Sequence, residues 1–203
     1  PLVPIFHQSQ FSEKNKNIMV VNIGGITNFT FLNGKTKLVA SDIGPGNKLI
    51  DEFCLKTFNK NFDDKGNLAK NGKLSDELLK NWKKKPYLSF PFPVSFDNSF
   101  FKLDEFLKKK NLNEFDVLRT LTYFTAFQLF NLKLRINLDI DKWIFSGGGV
   151  KNNTLMSDIK QLLSGDVVTT TLNYKMNPFF IESSAFAYIA VRTLKKLPSS
   201  FPS

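Results

Sequence analysis

Residues 18–47 read IMVVNIGGITNFTFLNGKTKLVASDIGPGN, and this stretch decides the fold. Three apolar runs, IMVVNI, TNFTFL and KLVAS, are separated by Gly24-Gly25 and by Asn33-Gly34. Short runs rich in β-branched and aromatic residues between such breaks read as strands. Asn-Gly between two of them is a hairpin signal, because a type I′ turn needs positive φ at both central residues. The stretch therefore predicts three antiparallel strands in a meander. Beyond Asp42, the loop IGPGN leads into Leu49, Ile50, Phe53, Cys54 and Phe58 at helical spacing, with Asn47 as the expected N-cap.

Further along, Leu118, Leu121, Thr125, Leu129 and Leu132 predict a long helix from Glu114 to about Arg135, widened by Tyr123, Phe124 and Phe127 into one buried on much of its circumference. KWIFS at 142–146 reads as a buried strand ending in Gly147-Gly148-Gly149, and a helix follows from Asn153 to Leu163. VVTTT then reads as a strand and IESSAFAYIAVRTLKKL as a last helix, with Lys195 and Lys196 suited to its C-terminal dipole. Residues 59–113, rich in Lys, Asn, Pro and Phe, look like an insertion with short helices near Ser75 and Asp104. Pro86, Pro91 and Pro93 favour an extended segment there. Residues 1–17, opening PLVPIF, read as a connector detached from the domain at 18–203. A meander continued by helix and strand alternation gives an α/β fold, a mixed five-stranded sheet flanked by helices. That order matches the ribonuclease-H-like half of the superfamily of sugar kinases, heat-shock chaperones and actin.

Composition narrows the function classes. The 203 residues are 42% hydrophobic, 14% aromatic and 23% charged, the profile of a folded domain. The single Cys54 forms no internal disulfide, which fits a reducing compartment. No apolar run reaches the ~18 residues of a spanning helix, and no signal-peptide pattern opens the chain. A cytoplasmic location without a membrane partner is expected. The net charge of +10 raises nucleic acid as a partner, yet only Arg119, Arg135 and Arg192 are arginine among 28 basic residues. Arg is the residue that reads bases and phosphates bidentately. The lysine runs at 83–85 and 108–110 are read as solvated faces, and no nucleic-acid partner is expected. A nucleic-acid-binding module would instead show steeply salt-dependent affinity for oligonucleotides.

Three glycine-bearing loops follow strand ends: NIGGITN at 22–28, SDIGPGN at 41–47 and SGGGVKN at 146–152. Backbone amides approach phosphate closely where no Cβ intervenes, and a helix N-terminus adds partial positive charge. Each loop alone reads equally as a bulge or a tight packing point. Three on one sheet suggest a phosphate cradle, although none is a Walker motif. Asp42 has two readings: a carboxylate that holds magnesium through water, or a turn residue that accepts from the backbone amide two residues on. His7 is the only histidine, so no Ser-His-Asp triad or multi-histidine metal site can form. It is read as a structural hydrogen-bonding residue.

The loops and their flanks resemble the anhydro-N-acetylmuramic acid kinase family. The pieces that carry the resemblance are PLVPIFH at 1–7, VVNIGGITN at 20–28, DIGPGN at 42–47, FDDKG at 62–66, GK at 72–73, PYLSFPFPVS at 86–95, FSGGGVKNNTLM at 145–156 and ESSAFAYIAVRTLKKLPSSFPS at 182–203. The resemblance implies an actin-like ATPase fold and an ATP- and Mg²⁺-dependent sugar kinase. Such a kinase moves the γ phosphate to the sugar's 6-oxygen while water opens the 1,6-anhydro bridge. It further implies nucleotide binding by Asn22, Gly24, Gly25, Asn28, Asp42, Gly44, Gly46, Asn47, Gly147, Gly148, Gly149 and Asn152. Of these, Gly24, Gly25, Gly44 and Gly46 are expected toward the phosphates, and Gly148, Gly149 and Asn152 toward adenosine. Glu182 is the implied sugar contact and a homodimer is allowed for. The resemblance is to the C-terminal half of that enzyme. Its first phosphate loop, most of its sugar pocket and its catalytic aspartate are expected upstream, so no catalytic residue is assigned within the chain. Alone, these residues are expected to be inactive and, with an apolar inter-domain face, poorly soluble. Two departures stand out. Val94 to Ser99 keep only Ser95 of a Lys-Ser-Thr-Gly-Arg-Glu pattern, and Phe179 and Phe180 stand where the family carries acids. The alternative is a divergent actin-like protein that binds a nucleotide without kinase activity.

Overall fold

The computed structural model describes residues 2–34, 37–107 and 112–200. The central sheet runs β3-β2-β1-β4-β5, built from β1 (Asn17–Ile23), β2 (Ile26–Asn33), β3 (Lys37–Pro45), β4 (Lys142–Ser146) and β5 (Val167–Thr170). The meander β1-β2-β3 is antiparallel, whereas β4 lies parallel to β1 and β5 parallel to β4. This is the mixed five-stranded sheet expected from the sequence. One detail of the meander differs. Asn33 pairs with Lys37 and keeps a negative φ, while Gly34 alone has φ +56°. A loop longer than two residues lets Asn33 stay in the strand, so no type I′ turn is needed. Residues 35 and 36, and the lysine run at 108–110, lie outside the described residues.

Alternation in the strands divides the side chains between two faces. Met19, Val21, Ile23, Phe29 and Phe31 meet Ala126, Leu129 and Leu132 of α5 (Glu114–Ile136) and Leu155 and Ile159 of α6 (Asn153–Leu162). Between these helices, the buried Asp158 and the half-buried Arg119 form a two-pronged ion pair at 2.6 and 2.7 Å. On the opposite face Ile18, Val20, Leu32 and Ile144 pack on Phe11 of α1 (Val3–Phe11). The expected detached connector is thus a helix docked on the sheet. Pro4 is tolerated in its first turn, where an amide would be unpaired anyway, and Ile5, Phe6, His7 and Phe11 are buried. Burial of such side chains, at about 1.5–3 kcal/mol each, outweighs the weak helix propensity of a Pro-flanked segment. Phe6 also packs on Ile181 and Ala185 of α7 (Ile181–Leu194), whose far side leaves Phe186, Val191 and Leu194 exposed.

The described residues of the stretch 59–113 build a second core with α2 (Lys48–Phe58) and the first half of α5. Trp82, Tyr87, Leu88, Phe101 and Phe106 close over Ile50, Phe53, Leu118 and Phe124. Two helices lie where expected, α3 (Asp76–Trp82) and α4 (Leu103–Phe106), and the Ser75 hydroxyl caps α3 by accepting from the Leu78 amide. Pro86 opens a 3₁₀ turn at Pro86–Ser89 in place of extended chain. Its fixed φ suits the first position of a turn, and the Tyr87 and Leu88 side chains reach the core from there.

Candidate functional site

The strand register sets one polar row across the sheet. Asp42 on β3 faces Asn28 on β2, Asn28 faces Asn22 on β1, and Asn22 faces Ser146 on β4. This row continues the face that α1 covers, one step beyond Val20 and Thr30, so it lies at the rim of the α1 packing. A bulge lies beside it, because Thr27 pairs with Gly44 while Asn28 pairs with Asp42, leaving Ile43 as the extra residue. Such bulges re-aim side chains next to functional sites.

Two cavities open on the row. The larger, about 440 Å³, is lined by Asn28, Thr30, Asp42 and the segment Pro93–Ser95. The smaller, about 230 Å³, is lined by Asn22, Gly24, Gly147, Gly148, Phe179 and Glu182. Val3, His7 and Asn28 line both, so α1 forms a shared wall. The structure therefore brings Asn22, Gly24, Asn28, Gly147, Gly148 and Glu182 around one small space, with Asp42 in the adjoining one.

The glycines of the three loops serve two different purposes. A Cβ on Gly46 would overlap the Gly24 carbonyl and Thr27, one on Gly147 (φ +85°) would overlap Asn22 and Ile23, and one on Gly149 would overlap Ile23. A Cβ on Gly44 would strike the side chains of Gln128 and Tyr87. These four glycines allow the loops to pack on the protein itself. Gly24, Gly25 and Gly148 instead have room: the nearest atoms to an added Cβ are 3.4, 3.8 and 3.5 Å away. Protein packing does not demand glycine at those three positions.

The helix N-terminus at IGPGN is likewise committed to protein. The amides of Gly46 and Asn47 donate to the Gly25 and Gly24 carbonyls at 2.8 Å, and the Lys48 amide reaches Gly25 at 3.2 Å. Asn47 sits at the N-cap position without capping, since its side-chain amide donates to the Ile23 carbonyl at 3.3 Å. Through the Gly46, Asn47 and Lys48 amides this loop braces the Gly24-Gly25 turn. Asn152 is also occupied, accepting from the Leu155 amide at 2.9 Å as the N-cap of α6.

The turn reading of Asp42, a bond to the amide two residues on, is not what the structure holds, since its partners lie in the loop at 94–96. Its Oδ2 accepts from the Phe96 amide at 2.7 Å, and its own amide donates to the Val94 carbonyl at 2.9 Å. The Val94 amide also donates to the Ser41 hydroxyl at 2.8 Å. The divergent loop 94–96 is therefore stitched to β3 through backbone groups that any sequence supplies. Oδ1 of Asp42 has no protein partner among the described residues. No group of three or more His, Cys, Asp or Glu that could hold a metal occurs among them. A single half-buried carboxylate oxygen with Asn28 nearby suits an ion that keeps most of its water.

His7 is 2% exposed and bonds Thr30 Oγ1 through Nδ1 at 2.9 Å, as its structural reading expected. Burial pushes its pKa down to about 4, so it is neutral at pH 7. Its Nε2 has no partner among the described residues. The place of His7 between the two cavities was not legible in the sequence, because it depends on α1 docking. Gln128 was also missed. The available signal was an amide at the Thr125 and Leu129 stripe of an otherwise apolar helix face.

A sequence profile of the family described as anhydro-N-acetylmuramic acid kinase matches residues 1–203. The chain belongs to the anhydro-N-acetylmuramic acid kinase family. Among curated members it is 34% identical over 208 residues to the anhydro-N-acetylmuramic acid kinase of Coxiella burnetii (strain Dugway 5J108-111), covering 100% of this chain and 56% of that protein. The Pasteurella multocida (strain Pm70) member is 35% identical, with 100% and 55% covered. The chain thus spans little more than half the length of the curated relatives it matches. Among solved structures, the ADPNP-bound activator of 2-hydroxyisocaproyl-CoA dehydratase from Clostridium difficile aligns with TM-score 0.52 at 9% identity, covering 100% of this chain and 70% of its own. A xyloylose kinase from Brucella ovis aligns with TM-score 0.51 at 12% identity over 79% of this chain and 36% of its own. At these identities the likeness is one of fold, and the fold is that of the actin-like ATPases and sugar kinases. No helix among the described residues is long and apolar enough to cross a membrane.

Proposed function

We propose that this chain supplies the nucleotide-binding part of a kinase acting on 1,6-anhydro-N-acetylmuramic acid, giving N-acetylmuramic acid 6-phosphate in the recycling of cell-wall sugars. The observation that carries the proposal is the smaller cavity. In a member of this kinase family, two glycines that protein packing does not require, Gly24 and Gly148, face it from different loops, beside Asn22 and Glu182. Phosphates approach backbone amides closely only at such positions. Gly24 and Gly25 are assigned to the phosphates of ATP, and Gly148 to the adenosine side. Asn22 and Asn28 supply amide donors along the row, and Glu182 faces the sugar. Asp42, through Oδ1 and intervening water, is the residue that would hold Mg²⁺. The ion, when bound, neutralises charge on the β and γ phosphates.

The chain's own residues bind and orient. Activation of the attacking water and closure over the phosphates belong to the part of the family's length not spanned here. Positioning and electrostatic closure supply most of the rate in phosphoryl transfer. The cytoplasm is the proposed location, and a homodimer is compatible with this role. Titration calorimetry of the 203-residue chain with ATP tests the assignment. Weak binding that Gly148→Val abolishes is expected, with no transfer to the sugar unless a complementing chain is added. Unchanged ATP affinity in Gly148→Val overturns the site, and robust turnover by this chain alone overturns the division of labour. ATP binding without turnover even in the complemented protein favours the non-catalytic alternative.

A further inference from the structure

A buried ladder of hydrogen bonds runs from the insertion to the open glycine turn. The Tyr87 hydroxyl donates to Gln128 Oε1 at 3.1 Å, and Gln128 Nε2 donates to the Pro45 carbonyl at 2.9 Å. One turn earlier on α5, the Thr125 hydroxyl donates to the Gly46 carbonyl at 3.2 Å. Gly46 and Asn47 then pass the contact on through their amides to the carbonyls of Gly25 and Gly24. Gln128 is fully buried, and it fills the space that a side chain on Gly44 would need.

We infer that Gln128, locked by Tyr87, is the positioning residue for the phosphate-facing Gly24-Gly25 turn. It ties the placement of that turn to the packing of the insertion at 59–113. The inference rests on the nucleotide reading above. A buried amide with both ends satisfied fixes its neighbours in one arrangement, whereas an apolar side chain of equal size leaves the Pro45 carbonyl and the Tyr87 hydroxyl unpaired. No other side chain hydrogen-bonds the Pro45 carbonyl among the described residues, so Gln128 is the side chain that ties this end of β3 to α5. The Tyr87 ring is itself held, 4.9 Å from Phe101 and 5.9 Å from Phe96 centroid to centroid, so its hydroxyl is aimed by the aromatic core of the insertion.

The test compares ATP with adenosine on the 203-residue chain and on Gln128→Met and Tyr87→Phe. Displacing the turn weakens contacts to phosphates and leaves those to adenosine. Gln128→Met is expected to bind ATP about tenfold more weakly, with adenosine affinity held within about twofold. Tyr87→Phe keeps the ring and removes one bond, so it retains the fold and shows a smaller defect of the same kind. The double variant is expected to fall short of the sum, since both changes act through one ladder. Equal losses for ATP and adenosine, or no loss of ATP affinity in folded variants, overturn the inference. If the unmodified chain binds neither ligand, the nucleotide reading itself has failed. The ladder is then judged by amide hydrogen exchange at Gly46 and Asn47, where faster exchange in Gln128→Met upholds it and unchanged exchange refutes it.

Discussion

His7 makes the acid stability of the fold calculable. It is the only histidine, it is buried between α1, on which it lies, and the sheet, and its folded pKa lies near 4 against 6.5 for a free imidazole. As pH falls, the unfolded chain takes up the proton first. The unfolded state therefore binds more protons between these values, and native stability declines through that window. The full separation corresponds to about 3 kcal/mol, of which about 2 kcal/mol is lost by pH 5. That is a large share of the ~5–15 kcal/mol typical of a domain. Above pH 6.5 the residue is neutral in both states and the effect vanishes. Urea unfolding at pH 7 and pH 5 measures it, with His7→Gln as the reference that cannot titrate. The unmodified chain is expected to lose about 2 kcal/mol more than His7→Gln between the two pH values, because carboxylate contributions cancel in the difference. Proton NMR gives an independent check, since a lone histidine yields a single Hε1 resonance that should not titrate until pH approaches 4. Parallel losses in the two proteins, or an imidazole titrating near 6.5, would refute the reasoning.

The other expected outcomes follow from the same geometry. Gly147→Ala is expected to cost roughly 1–3 kcal/mol, as a side chain at φ +85° against Asn22 and Ile23, whereas Gly148→Ala should leave the unfolding midpoint unchanged and still weaken ATP binding. Asp158→Ala leaves the guanidinium of Arg119 uncompensated between α5 and α6 and should cost about 3–5 kcal/mol by denaturant titration. Asp51 has its pKa raised to about 6 by burial and by the Asp63 carboxylate. Its folded pKa exceeds the unfolded one, so its penalty is absent at low pH and grows as pH rises through about 4 to 6. Asp51→Asn should therefore raise the melting temperature at pH 8 and not at pH 4.

The sheet was legible in the sequence because each strand carried its own signal. Gly24-Gly25, Asn33-Gly34 and the triple glycine after KWIFS mark where the chain must turn, and the periodicity of α5 survives its aromatic residues. The docking of α1 was not legible for the opposite reason. PLVPIF has two prolines and no helical stripe, and only the distant contacts of Phe6, His7 and Phe11 with β1, β2 and α7 hold it as a helix. Local preference and tertiary packing disagree there, and packing prevails. The residues that gather at the candidate site were legible as a set, since loops at the ends of adjacent strands must meet. Their separate duties were not.

Those duties separate on a single physical question: whether protein already occupies the space where a side chain would stand. Gly44, Gly46, Gly147 and Gly149 each face filled space, so close packing of the loops accounts for them without any ligand. At Gly24, Gly25 and Gly148 an added Cβ would make only ordinary van der Waals contacts, and folding alone would accept alanine there. In sequence the two classes are indistinguishable, because both read as glycine after a strand. The packed glycines let the loops interlock, and the interlock, through Gly46, Asn47 and Gln128, fixes the turn on which the open glycines lie. A substitution in the first class should then weaken the fold and the nucleotide site together, and one in the second only the site. Stability and ATP affinity measured on the same variants distinguish the two classes, and alanine at Gly148 that unfolds the chain would break the division.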